Sequence, residues 1–137
     1  MNNLCADIGF KSINHYGEQL CGDHIDIIEQ NENSTVVVLS DGLGSGVKAS
    51  ILSTLTSKII STMLAENLSI EECVNTIAAT LPICSVRGVA YSTFTIAHII
   101  DNKKIEIIEL KIIVFASLPS FKWVLWTSIY FPNLYIL

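Results

Sequence analysis

The chain has 137 residues, enough for one domain with a core, and with half of them apolar against 15% charged it is no disordered chain. Its net charge of −5 leaves no basic footprint and excludes nucleic acid as a leading partner. The first ten residues have no basic run and carry Asp7, unlike a secretory signal, and the four cysteines lack C-x-x-C spacing. They read as free thiols of a cytoplasmic protein. A zinc site from Cys21, Asp23 and His24 is disfavoured, since chain neighbours rarely converge on one metal.

Residues 5–10 form a short strand candidate. Residues 24–29 form another, with Ile25 and Ile27 on one face and Asp26 and Ile28 on the other. Asn31-Glu32-Asn33-Ser34 is a turn signal, and residues 35–40 are a β-branched run, so the two runs read as an antiparallel hairpin. That run stops at Asp41 and passes through Gly42, Gly44 and Gly46 into a helix from Ser45 to about Ala65. Val47, Ile51, Leu55, Ile59 and Met63 recur every four residues, widened by Leu52 and Ile60, and predict the buried stripe. Ser69 and Glu72 form a capping box for a second helix, which runs through Ile70, Cys73, Val74, Ile77, Ala78 and Leu81 and stops at Pro82. Residues 91–100 alternate as a strand, Asp101-Asn102 turns the chain, and residues 105–110 return. A hairpin on each side of a helix pair predicts an antiparallel α+β fold and argues against a parallel βαβ repeat.

Residues 111–137 differ in kind. They hold no acid and no glycine, both tryptophans and two of the three prolines, whereas residues 1–110 hold all 13 acids. The apolar residues of this tail follow no clean period, as in an out-of-frame reading, and self-association through it is expected. Its longest uncharged run, 15 residues interrupted by Pro132, falls short of the ~20 that a membrane span needs.

Asp23 and Asp41 each lie at a strand end beside a glycine, and antiparallel pairing puts both at one end of the first hairpin. Two carboxylates there repel unless a cation lies between them, and hard oxygen donors favour Mg²⁺ or Mn²⁺ over Zn²⁺. Gly42 permits a turn that offers its backbone carbonyl as a further ligand. Both acids are also good Asx-turn formers, and the pattern alone leaves the two readings open. A glycine loop opening a helix can also cradle a phosphate, so residues 42–50 support an alternative nucleotide- or phosphate-binding module. Asp41 opposes that reading, as does the departure from G-x-x-x-x-G-K-[ST]. A non-catalytic interaction domain using the helix pair and the tail is the third reading. His15, His98, Arg87 and Lys48 carry less weight: His98 reads as a core or edge histidine, Arg87 as a loop arginine and Lys48 as an exposed lysine.

Three segments together carry a resemblance: Cys21-Gly22-Asp23-His24, the run from Val37 through Asp41-Gly42-Leu43-Gly44-Ser45-Gly46 to Ala49, and Arg87-Gly88-Val89-Ala90-Tyr91-Ser92-Thr93-Phe94-Thr95-Ile96. Residues 1–110 resemble the stage II sporulation protein E-like serine phosphatases, of the type-2C kind of metal-dependent protein phosphatase. The resemblance implies antiparallel β-sandwich layers flanked by helices (an αββα phosphatase-like fold), incomplete here at the C-terminus. It implies that Asp41 bridges two Mn²⁺ or Mg²⁺ ions, that Gly42 gives a backbone carbonyl, and that Asp23 is the earlier acidic ligand, with Asp23 and Asp41 as the catalytic pair. The helix pair would be regulatory. The implied reaction is in-line attack of a metal-activated water on phosphoserine, with a phosphorylated regulatory protein such as an anti-sigma-factor antagonist as partner, in sporulation or sigma-factor control. The family also needs acidic ligands from two later segments. From Lys111 onward this sequence has no carboxylate, so one metal at most and impaired hydrolysis are expected, as for a truncated or frameshifted member.

Overall fold

A computed structural model describes residues 6–81, 92–115 and 123–135. Strands β1 (Asp23–Asn31) and β2 (Ser34–Gly42) are followed by helices α1 (Gly46–Ala65) and α2 (Ile70–Thr80). Strands β3 (Ser92–Ile100), β4 (Lys104–Phe115) and β5 (Trp123–Tyr135) complete the described elements. All five strands join one antiparallel sheet in the order β1-β2-β3-β4-β5, and the fold is α+β as the sequence predicts. The described strands form this one layer of the implied sandwich. Residues 6–10 take no strand, which corrects the expectation for that part of the first segment.

Turn chemistry fixes the hairpins. Asn31 accepts the Asn33 backbone N–H on its side-chain oxygen at 2.9 Å, closing an Asx turn between β1 and β2. Asp101 and Asn102 both have φ of +51°, the left-handed pair at the centre of a turn that Lys103 N–H closes on the Ile100 carbonyl at 3.1 Å, within the three-residue connection between β3 and β4. Side-chain alternation then splits the sheet into two faces. Val36, Val38, Phe94, Ile96 and Ile108 lie on the helix side and form the core with Leu52, Ile60 and Leu64 of α1 and Cys73, Val74 and Ile77 of α2. Asp26 shares that side at the edge, where its carboxylate meets the Lys58 ammonium of α1 at 2.9 Å.

The α1 stripe needs correcting. Val47, Ile51 and Leu55 are 62%, 60% and 43% exposed. The buried face instead runs through Ala49, Leu52, Ser53, Thr56, Ser57, Ile60, Ser61 and Leu64. Small side chains let the helix approach the sheet closely, which a row of large aliphatics would prevent. The buried hydroxyls need no outside partner, because each donates to a carbonyl of its own helix: Ser53 to Ser50 and Ser61 to Lys58 at 3.1 Å, Thr56 to Leu52 at 2.8 Å, Ser57 to Thr54 at 3.0 Å. Asn67, at φ +61°, ends α1 with a left-handed residue, and Leu68 N–H closes the motif on the Met63 carbonyl at 3.0 Å. The capping box of α2 is present as read: Ser69 Oγ accepts Glu72 N–H at 3.2 Å, and Glu72 accepts Ser69 N–H at 2.8 Å. The Ser69 backbone N–H first, and then the Ser69 hydroxyl donating to the same carboxylate oxygen at 2.8 Å, hold the Glu72 carboxyl below its ordinary pKa.

Beyond Leu110 the backbone continues as β4 to Phe115 and returns as β5, although the tail sequence showed no clean period. Pro132 falls where the β4–β5 register shifts, on the outer strand of the described sheet, one of the few places in a sheet that tolerate a residue without an N–H.

The face assignment of α1 makes a direct prediction. Ser57→Leu, which forces a large side chain between helix and sheet, should destabilise the protein by about 1–3 kcal/mol in urea unfolding. Ile51→Ser should stay within about 0.5 kcal/mol of wild type. The reverse order would place the Val47–Ile51–Leu55 stripe in the core.

Candidate metal centre

The site lies where β1 begins and β2 ends. The β1–β2 register sets Asp23 directly opposite Asp41, so their β-carbons stand about 4.5–5.5 Å apart. Ser40 and Val38 point toward the helices; Asp41, one residue on, points to the other face, and its cross-strand partner Asp23 shares that face. Asp41 is exposed as a residue, yet its carboxyl is sheltered enough to matter. Burial first, then the negative charge of Asp23 and a hydrogen bond between the two carboxyl groups, raise its pKa above the ordinary value. A divalent cation neutralises the same two charges, and hard oxygen donors suit Mg²⁺ or Mn²⁺.

Gly42 follows. Its N–H donates to the Gly22 carbonyl at 3.0 Å, extending the ladder by one bond past the acidic pair. Its own carbonyl oxygen lies beside Gly22, 3.6 Å from where a Cβ would stand there, next to the residue that precedes Asp23. A Cβ on Gly42 would collide with the Ala49 carbonyl group of α1, standing 2.7 Å from its carbon, and would lie 2.8 Å from the Gly22 oxygen. Only a glycine lets β2 run this close to the first turn of α1. Ser92, buried on β3, donates its hydroxyl to the Asp41 carbonyl at 3.1 Å and ties the end of β2 to β3. Ser40 Oγ, under the same strand end, is buried without a partner.

The glycine loop does a different task. Gly44 and Gly46 take φ of +95° and +75°, turning the chain from β2 into α1. Ser45, at the N-cap position, makes no cap bond; its hydroxyl donates to Glu18 Oε1 at 3.1 Å. The Glu18 carboxylate packs on Gly46, 2.8 Å from where its Cβ would be. An acid from outside the motif thus faces the positive end of α1, which favours negative charge. Glu18 carries no motif signal in the sequence, and only the folded path of residues 6–22 reveals it.

The other candidates separate. His24 pairs with Ser40 on the helix side of the sheet, away from Asp23. Cys21 is engaged locally, its thiol donating to the Ile13 carbonyl and accepting the Asp23 N–H, both at 3.5 Å. Among the described residues, no group of three or more His, Cys, Asp or Glu is placed to hold a metal. Asp23 and Asp41 thus stand as a facing pair of carboxylates, short of a complete ligand set. His15 and Lys48 are exposed, the His15 ring only 3.2 Å from the Tyr16 carbonyl. His98 lies on the helix side near the opposite end of the sheet, in register with Val36. Arg87 lies outside the described residues.

No family model matches this sequence, and neither does any curated protein. Among solved structures the chain is similar to that of the PP2C phosphatase domain and a fragment of the regulatory domain of the cell fate determinant SpoIIE from Bacillus subtilis. The TM-score is 0.63 at 20% identity, covering 74% of this chain and 30% of that one. The likeness is one of fold: this chain has the α+β architecture of part of a PP2C phosphatase domain, and it spans about a third of that chain's length.

Gly42→Ala should destabilise the protein by about 1–3 kcal/mol, because the added methyl meets backbone atoms that cannot rotate away. Gly44→Ala meets no atom within 4 Å and should cost only the strain of its positive φ, about 1–2 kcal/mol. Thermal melts of the two variants side by side check the contrast in steric origin. Relief of the Gly42→Ala defect by Ala49→Gly, which gives α1 slack, confirms the contact.

Proposed function

We propose that this chain carries the first metal-binding segment of a serine/threonine protein phosphatase of the type-2C kind, with phosphoserine on a regulatory protein as its substrate. An anti-sigma-factor antagonist is the kind of partner the sequence resemblance suggests. The observation that supports this reading most is the register that sets Asp23 opposite Asp41, with the Asp41 pKa raised by burial and then by the charge it faces. A like-charged cross-strand pair destabilises the bare sheet, by up to about 1 kcal/mol. Such a pair is accounted for by a cation that rewards it.

Asp23 and Asp41 would hold Mn²⁺ or Mg²⁺ between them, with the Gly42 carbonyl as the neutral third donor. When bound, such an ion supplies an activated water and neutralises charge on the phosphoryl oxygens. The chain's own contribution is placement. The β1–β2 ladder sets the spacing of the carboxylates, Ser92 fixes the Asp41 carbonyl, and the glycine at position 42 lets α1 lie against the strand end. Two carboxylates hold one ion weakly, so activity of this chain is impaired relative to a complete centre. A cytoplasmic location agrees with this chemistry, and among the described residues no helix is long and apolar enough to cross a membrane. The departure of residues 111–137 from the acidic composition before them fits a read-through or frameshifted tail, which sequencing the gene in all frames tests.

The phosphate-loop alternative meets an obstacle. An incoming phosphate at the start of α1 would have to displace the Glu18 carboxylate that already faces Gly46.

Asp41→Asn should weaken Mn²⁺ binding at least tenfold by calorimetry and abolish Mn²⁺-dependent phosphate release from a phosphoserine peptide. Release that survives the substitution would remove Asp41 from the reaction. In the metal-free protein the same substitution should raise the melting temperature at neutral pH. Because the folded pKa of Asp41 is raised, the group favours folding below its unfolded pKa and loses that contribution as pH rises through the folded value. The advantage of Asn should therefore shrink as pH falls through the carboxylate range.

A further inference from the structure

At the other end of the sheet, under the elbow between α1 and α2, lies a cavity of about 320 Å³. It is walled by Val36, Leu64, Leu68, Ile70 and Ile96, with Gln30, Asn67, Ser69 and His98 as its polar members. Gln30 stands seven residues along β1 from Asp23, about 23 Å away at ~3.3 Å per residue, so the cavity is separate from the acidic pair. Among the described residues, no Lys, Arg, Asp or Glu lines it.

A hydrogen-bond relay orders this wall. The Gln30 amide N–H donates to the Leu64 carbonyl at 2.9 Å, which turns its oxygen toward Ser34. The Ser34 hydroxyl donates to that oxygen at 3.3 Å and so spends its only proton. All three contacts are satisfied together when His98 Nε2, 2.9 Å from Ser34 Oγ, is the donor in that contact. In that arrangement Nε2 carries the proton and Nδ1 is left as a lone-pair acceptor. His98 is held neutral in keeping with this, since burial lowers its pKa more than Glu106 across the strand raises it. The Asn67 side-chain amide, on the residue that ends α1, makes no hydrogen bond among the described residues.

We infer that this cavity is a binding site for a small uncharged molecule with an apolar, ring-sized body and one hydrogen-bond donor, the donor meeting His98 Nδ1 and the body packing on Leu64, Leu68, Ile70 and Ile96. The volume is at the lower end of the range for ligand pockets, which suits a single ring system. The uncharged wall rejects ions, which would lose their hydration without gaining a partner. An apolar molecule without a donor leaves the His98 acceptor unmet and binds less well. The Asp23–Asp41 assignment plays no part in this site, so either can fail without the other.

Phenol is the probe, titrated into the full metal-free chain at neutral pH and followed by assigned amide and imidazole NMR shifts. A seven-atom ligand of ordinary efficiency should bind at about 1 mM. Shifts should centre on Val36, Leu64, Leu68, Ile70, Ile96 and the His98 ring. Phenol should bind at least tenfold more tightly than benzoate, the charged comparison, and at least threefold more tightly than toluene, which lacks the donor. Leu68→Trp, a substitution at a partly exposed wall position, should fill the space and weaken phenol at least fivefold. Shifts centred elsewhere, equal response to benzoate, or no response at several times that concentration overturn the site. Toluene binding as tightly as phenol overturns the role of His98. The wild-type comparisons stand whether or not the Trp variant folds.

Discussion

The contact on which the rest depends is the approach of α1 to the end of β2, where Gly42 lies under the Ala49 carbonyl. Backbone meets backbone there, so no side chain can adjust the distance. The helix is pinned at its first turn, and its course over the sheet follows. Because the helix is so close, its sheet-facing stripe must be small. Ser53, Thr56, Ser57 and Ser61 supply this, each hydroxyl satisfied within the helix. The same closeness holds β2 straight to its last residue, so Asp41 stays in ladder register opposite Asp23 when a turn would otherwise begin.

Much of this was legible in the sequence, for reasons that can be named. The hairpin of residues 24–40 was legible because alternation and turn residues agree. Register then placed two acids at one end with no further assumption. The α2 capping box was legible because a local motif satisfies its own donors. The buried face of α1 was legible only in part: Leu52 and Ile60 lie in the core as the stripe predicts, while Val47, Ile51 and Leu55 do not. Its large aliphatics form the better hydrophobic pattern, but the close helix–sheet distance selects small residues, and that distance is a tertiary fact created at Gly42. The extension of β4 and the pairing of β5 were also not legible: strand pairing supplies backbone bonds that period analysis of side chains does not see. Glu18 escaped for a third reason, since its role depends on where a coil segment crosses the loop.

Charge is distributed around the glycine loop with a consistent logic. The start of α1 presents unpaired N–H groups and a positive dipole end, and Glu18 answers it from outside the loop. Among the described residues, the acids at 23 and 41 have no such partner. They lie on the sheet face opposite the helix, whereas the ion pair of Asp26 with Lys58 lies on the other side. Within a few residues, one carboxylate is matched by a helix terminus and one by an ammonium, and two face each other.

That last pairing bears on the two readings of the loop. A phosphate cradle needs the helix terminus free and the strand end neutral or positive. Here the terminus faces Glu18, and the strand end carries the Asp41 carboxyl with its proton held more tightly than usual. Both departures oppose an anion, and the second favours a cation. The glycines serve geometry: position 42 makes room for α1, and positions 44 and 46 turn the chain into it. The conformational freedom that suggests a phosphate loop in the sequence is spent in the fold on bringing a helix against a strand, and the chemistry proposed for this end of the molecule rests on the acidic pair.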